Sequence, residues 1–205
     1  MSAKLIAITG GIGSGKSVVS QLLRIMGYTV YDCDERAKWV MTHDEQLRSE
    51  LCQLFGPDTY LHSTDGTWQL NRPYLSDIIF ASPEALNRMN SCVHPAVWRD
   101  IQTQLMAETK ELFFFESAIL YESGFDRLSS PDEVWAVSAP LELRIHRAMQ
   151  RDNASREKIL SRIASQMPQD EKDRRADHTI INDDSLSLIK QVRELLGQIR
   201  ELLDT

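Results

Sequence analysis

A glycine-rich loop near the N-terminus has the residue types and spacing of a phosphate-binding site. Residues 9–17 read TGGIGSGKS and match the Walker A spacing G-x-x-x-x-G-K-[ST]. Glycines let the backbone turn its N–H groups towards a phosphate, and the following helix adds its N-terminal dipole. Lys16 can reach the terminal phosphates, and the Ser17 hydroxyl can coordinate the accompanying Mg²⁺. The loop predicts a site for Mg-ATP or Mg-GTP, formed by Gly11, Ile12, Gly13, Ser14, Gly15, Lys16 and Ser17.

Two aspartates, Asp32 and Asp34, follow the second apolar segment, residues 28–31. In open parallel sheets, ligands bind outside the carboxyl ends of the strands, which is also the edge from which the glycine-rich loop projects. We therefore expect both carboxylates to face the nucleotide. They share one side only if the strand continues, and the alternative is that one of them caps a helix starting near Glu35.

A third acidic residue, Glu116, ends the apolar run Leu112–Phe115. This run has the composition of a central parallel strand, which is buried on both faces. A carboxylate at its carboxyl end can hold Mg²⁺ directly or through water. The sequence therefore predicts Ser17 and Glu116 as the residues associated with the metal.

Three arginines follow the strand predicted at residues 134–138. Arg144, Arg147 and Arg151 are spaced by three and four residues, so they share one face of a helix. A polar, charged stretch from 155 to 175 comes next and is typical of a mobile flap that closes over a nucleotide. The arginines are candidates for contact with the transferring phosphoryl group, and the alternative is a solvated surface stripe.

The elements that must position these groups are strands separated by helical segments. Strands are predicted at 4–8, 28–31, 112–115, 134–138 and 179–182, which indicates a three-layer α/β core with a mainly parallel sheet. The block from 35 to 110 is mainly helical and resembles an insertion that covers a substrate. It contains a predicted hairpin turning at Asp65-Gly66, and Pro95 is expected to kink or break its last helix just after His94.

The composition is that of an ordinary globular protein that can bury a core in one domain with an inserted subdomain. The chain has 205 residues, 42% of them hydrophobic, and a formal charge of −7, which argues against a general nucleic-acid binder. No segment approaches the roughly 20 apolar residues of a membrane span, so a cytoplasmic location is expected. Three cysteines match neither a zinc site nor a disulfide framework.

The order of motifs along the chain resembles the dephospho-coenzyme A kinase family. Beyond the loop at 9–17, the likeness includes Asp32-x-Asp34, Phe55-Gly56, Asp65-Gly66, Leu70-x-Arg72-x-x-Leu75 with Phe80, His94-Pro95, Leu120-Tyr121-Glu122, Arg147-x-x-x-Arg151, Arg162-Ile163-x-x-Gln166, Ala176-Asp177 and Asn182. The likeness runs nearly end to end and is far more specific than the glycine-rich loop alone.

The resemblance implies a P-loop, nucleoside-monophosphate-kinase-like fold with a core, a helical substrate-binding insertion and a lid. Its segments would be 1–34, 111–140 and 176–205 for the core, 35–110 for the dephospho-CoA-binding region and 141–175 for the lid. The implied reaction transfers the ATP γ-phosphoryl group, with Mg²⁺, to the ribose 3′-hydroxyl of dephospho-CoA and gives CoA and ADP. The implied partners are these two substrates, with no nucleic acid and no membrane, in a monomer or weak homo-oligomer.

Residue roles follow from the resemblance by position. Asp34, Lys16 and Arg147 are expected to be catalytic, with Asp34 orienting the acceptor hydroxyl, and Arg147 and Arg151 are expected to bind ATP. The residues implied to bind the acceptor are Asp32, Asp34, Arg72, His94 and Glu122. For His94, the alternative is a capping or core hydrogen-bonding role. Core packing is expected for most of the tryptophans at 39, 68 and 98, with stacking on substrate as the alternative.

The sequence also departs from the family pattern. Residues 116–122 read ESAILYE, which lacks a proline that is common there and lengthens the first acid, and Arg144 and Asn71 replace a usual glutamine and aspartate. Two competing functions are a kinase of another small molecule, such as a nucleotide, shikimate or gluconate, and a nucleotide-dependent switch or ATPase. The second is disfavoured because the chain has no Asn-Lys-x-Asp run to read guanine.

Overall fold

A computed structural model describes residues 3–64 and 66–203 of the chain. The chain divides into two compact units. The first comprises Met1–Tyr31 and Glu108–Thr205, and the second comprises Asp32–Ala107. The second unit is therefore an insertion in the sequence of the first.

The elements of both units follow in chain order. The strands are β1 (Lys4–Thr9), β2 (Thr29–Asp32), β3 (Tyr60–His62), β4 (Trp68–Leu70), β5 (Leu112–Glu116), β6 (Glu133–Ser138) and β7 (His178–Ile181). The helices are α1 (Lys16–Ile25), α2 (Cys33–His43), α3 (Glu45–Phe55), α4 (Arg72–Ala81), α5 (Pro83–Ala107), α6 (Phe125–Ser129), α7 (Leu141–Asp152), α8 (Arg156–Ala164), α9 (Gln169–Arg175) and α10 (Leu188–Leu203).

The first unit is built on a five-stranded sheet in the order β2-β5-β1-β6-β7. The β1–β5, β1–β6 and β6–β7 pairs are all parallel, and Ile8 of β1 lies opposite Glu116 on one side and Trp135 on the other. Parallel pairing brings the carboxyl ends of these strands to one edge, where the glycine-rich loop, Glu116 and the residues after β6 and β7 follow. The predicted α/β class and the five predicted core strands are confirmed.

Helices cover both faces of this sheet because its strands are apolar on both sides. Phe114 points to one face and meets Trp135 edge-on, with 5.4 Å between ring centroids. Phe115 alternates to the other face and meets Phe125 of α6 at 5.8 Å. On the Phe114 side, α1 and α10 complete one buried cluster with Val19, Leu23, Val192, Leu196 and Ile199. Three layers result, as the sequence predicts.

The second unit contains α2 to α5, a short 3₁₀ helix (Pro57–Thr59) and the antiparallel hairpin of β3 and β4. Short polar side chains begin its helices, since Asp44 accepts from the Leu47 N–H and Asn71 from the Tyr74 N–H. The predicted hairpin is confirmed. Gly66 in its turn has φ 85°, and Asp65 lies outside the described residues.

The structure contradicts the helix break expected at Pro95. α5 runs for 25 residues from Pro83 to Ala107 with Pro95 inside it. Proline removes one backbone hydrogen bond and crowds the preceding turn, but buried residues on both sides of it, Val93 and Val97, anchor the flanking turns in the core of the unit. Tertiary packing therefore outweighs the local penalty. Within the described ranges, no helix combines the length and apolar character that crossing a bilayer requires.

The polar stretch predicted as a flap has regular structure. Its two helices, α8 and α9, follow Ser155 and Pro168, and the Ser155 side chain accepts from the Lys158 N–H. Ile159 of α8 is buried with Ile145 and Ala148 of α7. The lid assigned to residues 141–175 lies wholly in the first unit, and its closure over a nucleotide stays a prediction.

Candidate active site

The glycine-rich loop passes too close to its neighbours for side chains at several positions, which include Gly13 and Gly15. Gly13 has φ 76°, and a Cβ there would lie 2.1 Å from the backbone oxygen of Arg144. Gly15 has φ 99°, and its Cβ would lie 2.1 Å from the side-chain nitrogen of Asn182. Both glycines are therefore required by the left-handed backbone and by the contacts. The motif specifies Gly15, whereas Gly13 occupies one of its variable positions.

Two glutamines from the predicted lid segment hold the start of the loop. Gln169 Oε1 accepts from the Gly11 N–H and Gln166 Oε1 accepts from the Ile12 N–H, both at 2.9 Å. The Arg144 Nε donates to the Ile12 carbonyl at 3.1 Å, so Ile12 is held on both sides of its backbone. Sequence reasoning did not assign Gln169 a role, and its only signal was a polar side chain in a charged stretch.

Asn182, just after β7, holds the other side of the loop. Its side-chain amide donates to the Ser14 carbonyl at 2.8 Å, and its backbone N–H donates to the Ser138 carbonyl at 2.8 Å. Arg147 donates to the Asn182 carbonyl at 2.9 Å and to the Asp184 carboxylate at 2.7 Å. Arg147 is thereby tied to the glycine-rich loop through a single intervening residue.

Lys16 and Ser17 occupy the first turn of α1. Lys16 Nζ donates to the Gly10 carbonyl at 2.9 Å, so the ammonium folds back along the loop that it is predicted to serve. The Ser17 residue is exposed. The potential at this end of α1 is positive. The helix N-terminus, the loop N–H groups and the Lys16 ammonium all contribute to it, and a positive potential favours a polyphosphate.

The three arginines predicted to share one face of α7 have different environments. Arg144 is buried, and burial lowers the pKa of its guanidinium while Asp173 opposes that shift. Arg147 is half-buried against Asn182, and Arg151 is exposed and pairs with Asp152 at 2.7 Å. The surface-stripe alternative is therefore wrong for Arg144. The nucleotide contacts of Arg147 and Arg151 stay predictions.

Glu122, which the resemblance assigns to the acceptor, pairs with a lysine of α9. Its Oε1 lies 2.6 Å from Lys172 Nζ and accepts from the Met167 N–H at 2.8 Å. Lys172 is fully buried and also donates to the Ala118 carbonyl at 2.8 Å. Burial lowers the pKa of Lys172, and the carboxylate of Glu122 opposes that shift. Glu122 therefore fixes α9, and a substrate contact stays a prediction.

The second unit carries the paired aspartates at the start of α2, and the structure decides which of them is the cap. β2 ends at Asp32, whose side chain accepts from the Glu35 N–H at 3.0 Å. The alternation that would align the two carboxylates therefore does not continue. Asp34 lies in the first turn of α2 and is exposed.

The other predicted acceptor residues of this unit lie in different settings. Arg72 is the first residue of α4 and lines a cleft with Lys38 of α2. His94 lies inside α5 and is half-buried, and burial lowers the pKa of its imidazole below the usual 6.5. A capping role for His94 is excluded by its position in the middle of a helix. Two of the tryptophans expected in the core, Trp39 and Trp68, are 44% and 39% exposed.

The site can be compared with known proteins. The model of the CoaE family, described as dephospho-CoA kinase, matches residues 4–187 and so includes the glycine-rich loop, both aspartates and all three arginines. The chain belongs to the dephospho-CoA kinase family. Its relatives in this family include the dephospho-CoA kinase of Bacteroides fragilis (strain YCH46), 45% identical over 94% of this chain and 91% of the relative. The dephospho-CoA kinase of Porphyromonas gingivalis is 40% identical over 95% and 94%.

The fold of this dephospho-CoA kinase family member is similar to those of solved structures over nearly the whole chain. The protein TT1252 from Thermus thermophilus has a TM-score of 0.80 and 36% identity, covering 98% of this chain and 99% of that one. The dephospho-CoA kinase from Campylobacter jejuni has a TM-score of 0.65 and 25% identity, covering 95% and 96%. A shikimate kinase from Acinetobacter baumannii, at 15% identity, shares the fold with a TM-score of 0.50.

The residues of this dephospho-CoA kinase family member fit a magnesium ion that arrives with a nucleotide. Glu116 Oε2 accepts from the Ser20 hydroxyl at 2.5 Å, which ties the carboxylate to the helix that carries Ser17 one turn earlier. A hydroxyl and a carboxylate are the hard oxygen donors that Mg²⁺ prefers. Among the residues described, no cluster of three or more His, Cys, Asp or Glu could cage a metal.

Proposed function

We propose that this protein transfers the γ-phosphoryl group of ATP to the 3′-hydroxyl of dephospho-CoA and produces CoA and ADP, the final step of CoA synthesis. The observation that carries the proposal is the match of the family model to residues 4–187, which spans the glycine-rich loop and the helical insertion together. The loop alone would support any ATP-using kinase. The family match adds the acceptor, since relatives at 40–45% identity are named dephospho-CoA kinase.

The first unit supplies the nucleotide side of the reaction. The N–H groups of the loop and the N-terminus of α1 bind the phosphates, and Lys16 exchanges its contact with the Gly10 carbonyl for a phosphate oxygen. Ser17 and Glu116 would hold Mg²⁺, which when bound neutralises charge on the phosphate oxygens. Gln166, Gln169 and Asn182 hold the conformation of the loop before ATP arrives, so its backbone needs little reorganisation.

Arginines of α7 stabilise charge that develops during transfer. Arg147 is anchored to the Asn182 carbonyl, and Asn182 in turn holds the Ser14 carbonyl of the loop. This connection supports a role for Arg147 at the phosphoryl group, and Arg151 follows one turn later on the same helix. Arginine suits this role because its planar guanidinium can pair with two phosphate oxygens at once.

The second unit supplies the acceptor side. Asp34 orients the 3′-hydroxyl and accepts its proton as the bond to phosphorus forms. An ordinary aspartate is a weak base at neutral pH, so its contribution is mostly orientation. Asp32 contributes by capping α2 and fixing the turn that presents Asp34. Arg72, His94 and Glu122 stay predicted acceptor contacts, and the cytoplasmic location and the monomer or weak homo-oligomer also stay predictions.

A coupled assay of ADP release tests the proposal. Purified protein with Mg-ATP is offered dephospho-CoA, AMP, CMP, adenosine, shikimate, gluconate or no acceptor. We expect release that depends on dephospho-CoA alone. Equal or greater ADP release with another acceptor would support a kinase reaction but reject dephospho-CoA as its acceptor. Release without any acceptor would point to an ATPase or a switch.

A further inference from the structure

Arg144 of α7 is a buried cation whose charge has no counterion in direct contact. The residue is only 5% exposed, and arginine is rarely buried to that extent unless its charge is paired. Its Nε donates to the backbone carbonyl of Ile12, which is a neutral acceptor. Among residues 3–64 and 66–203, no carboxylate forms an ion pair with the Arg144 guanidinium and no second acceptor engages it.

The carboxylate whose charge acts on Arg144 is already used by other donors. Asp173 opposes the lowering of the Arg144 pKa that burial causes, so the two side chains are neighbours. The Asp173 carboxylate, however, accepts from the Ser138 hydroxyl at 2.7 Å and from the Gln169 side-chain amide at 2.8 Å. Asp173 therefore compensates the charge of Arg144 from a distance and only in part.

A second buried cation beside Arg144 has a counterion of its own. Lys172 of α9 is fully buried and its Nζ lies 2.6 Å from the Glu122 carboxylate. The charge of Arg144 contributes to lowering the pKa of Lys172, which shows that the two cations lie close together. Lys172 is thus neutralised by Glu122, whereas the charge of Arg144 remains in excess in this part of the first unit.

The uncompensated guanidinium lies against the glycine-rich loop. A Cβ at Gly11 would lie 2.1 Å from the Arg144 Nη2, and Gly11 is itself buried. A buried charge without a counterion is unfavourable, and an anion bound at the loop would offset that cost. Because electrostatic interactions are stronger where water is excluded, the charge of Arg144 can act on such an anion across the loop backbone.

We propose that the buried charge of Arg144 is a determinant of ATP affinity and that the polyphosphate of ATP supplies its missing counterion across the loop. The inference rests on the proposed function, in which the loop binds the phosphates of ATP. Arg144 acts through its charge, not as a catalytic residue that touches the reacting atoms. The effect increases with the charge of the ligand, so Arg144 favours ATP over ADP.

Three variants separate the charge of Arg144 from its hydrogen bond. Arg144→Gln removes the charge but keeps an N–H donor for the Ile12 carbonyl, and Arg144→Lys keeps the charge. Arg174→Gln is the matched control, because its side chain is a 72% exposed cation on α9 that pairs with Asp170. Calorimetric titration gives the Kd for Mg-ATP and for Mg-ADP, and thermal unfolding shows that each variant is folded. The ADP-release assay with dephospho-CoA is run on the wild type.

We expect Arg144→Gln to raise the Kd for ATP by about 10-fold and the Kd for ADP by about threefold. Arg144→Lys should bind ATP more tightly than Arg144→Gln does, and Arg174→Gln should bind it as the wild type does. An unchanged Kd for ATP in Arg144→Gln would overturn the inference, as would equal losses for ATP and ADP or a lysine variant no better than the glutamine variant. A wild-type protein that binds ATP but does not phosphorylate dephospho-CoA would instead reject the proposed function.

Discussion

Gln169 accepts a hydrogen bond from the backbone N–H of Gly11 at 2.9 Å, although the two residues are 158 positions apart in the chain. The side-chain amide of Gln169 also donates to the Val137 carbonyl at 3.2 Å and to Asp173 at 2.8 Å. One side chain thus connects α9, the end of β6 and the start of the glycine-rich loop. Loop conformation is therefore coupled to the segment predicted to act as a lid.

Replacing this glutamine should impair nucleotide binding more than folding. Gln169→Leu keeps a similar side-chain volume but leaves the Gly11 N–H without its acceptor. An unsatisfied buried donor costs about 1–3 kcal/mol of free energy. We expect kcat/KM for ATP to fall by about 10-fold in steady-state kinetics. Gln150→Leu on the exposed side of α7 is the control. If the two variants have the same kcat/KM, Gln169 does not position the loop.

The close approach at Gly13 predicts that alanine cannot replace it. The new Cβ would lie 2.1 Å from the Arg144 backbone oxygen, and the backbone of α7 cannot yield as a flexible side chain would. Overpacking together with a left-handed backbone should raise the Kd for ATP by about 100-fold in calorimetric titration. Gly27→Ala is the control, because Gly27 has a similar φ of 92° but nothing within 4 Å of its Cβ position. Equal Kd values for the two variants would contradict this account.

Local patterns in the sequence were sufficient to predict the elements that position the site. Apolar runs such as Leu112–Phe115 predicted the buried strands, and the motif predicted where Lys16 and Ser17 lie. The break at Pro95 was wrong because burial of Val93 and Val97 outweighs a local backbone penalty. Burial depends on the partners of a helix, which periodicity within that helix does not specify.

Long-range polar contacts were the part that the sequence did not predict. Helical spacing placed Arg144, Arg147 and Arg151 on one face, but it did not show that Arg144 is buried against Ile12, 132 positions away. The same holds for Lys172, which lies in the stretch predicted as a mobile flap and is fully buried beside Glu122. A buried charge needs a specific partner, and only the fold shows that a partner is present.

Substitutions of the two aspartates at the start of α2 should affect different properties, stability for Asp32 and catalysis for Asp34. Asp32→Ala removes the helix cap and should lower the free energy of unfolding by about 1 kcal/mol, whereas Asp32→Asn, also a good cap, should not. Asp34→Asn should lower kcat by about 100-fold without destabilising the protein. Urea denaturation and steady-state kinetics measure the two effects. A near-normal kcat for Asp34→Asn would remove its assigned role.

His94 should make the stability of the protein depend on pH in mildly acidic solution. Burial lowers its pKa below 6.5, so the unfolded chain binds a proton at a higher pH than the folded protein does. The contribution of His94 to the free energy of unfolding is complete above about pH 6.5. It decreases as the pH falls towards the folded-state pKa, by at most about 1.4 kcal/mol per pH unit. The free energy of unfolding is measured by urea denaturation at about pH 7.5 and about pH 5.5. It should decrease less between these two pH values in His94→Asn than in wild type. Equal losses would contradict the prediction.

The central claim is that one specific hydroxyl of dephospho-CoA receives the phosphoryl group, and the position of the new phosphate tests it most directly. The product formed from Mg-ATP and dephospho-CoA is isolated, and its phosphorus–proton couplings are measured by NMR. The account predicts a phosphate on the ribose 3′ position, with one ADP released for each phosphate transferred. A phosphate at the 2′ position, or ADP released without a phosphorylated acceptor, would contradict it.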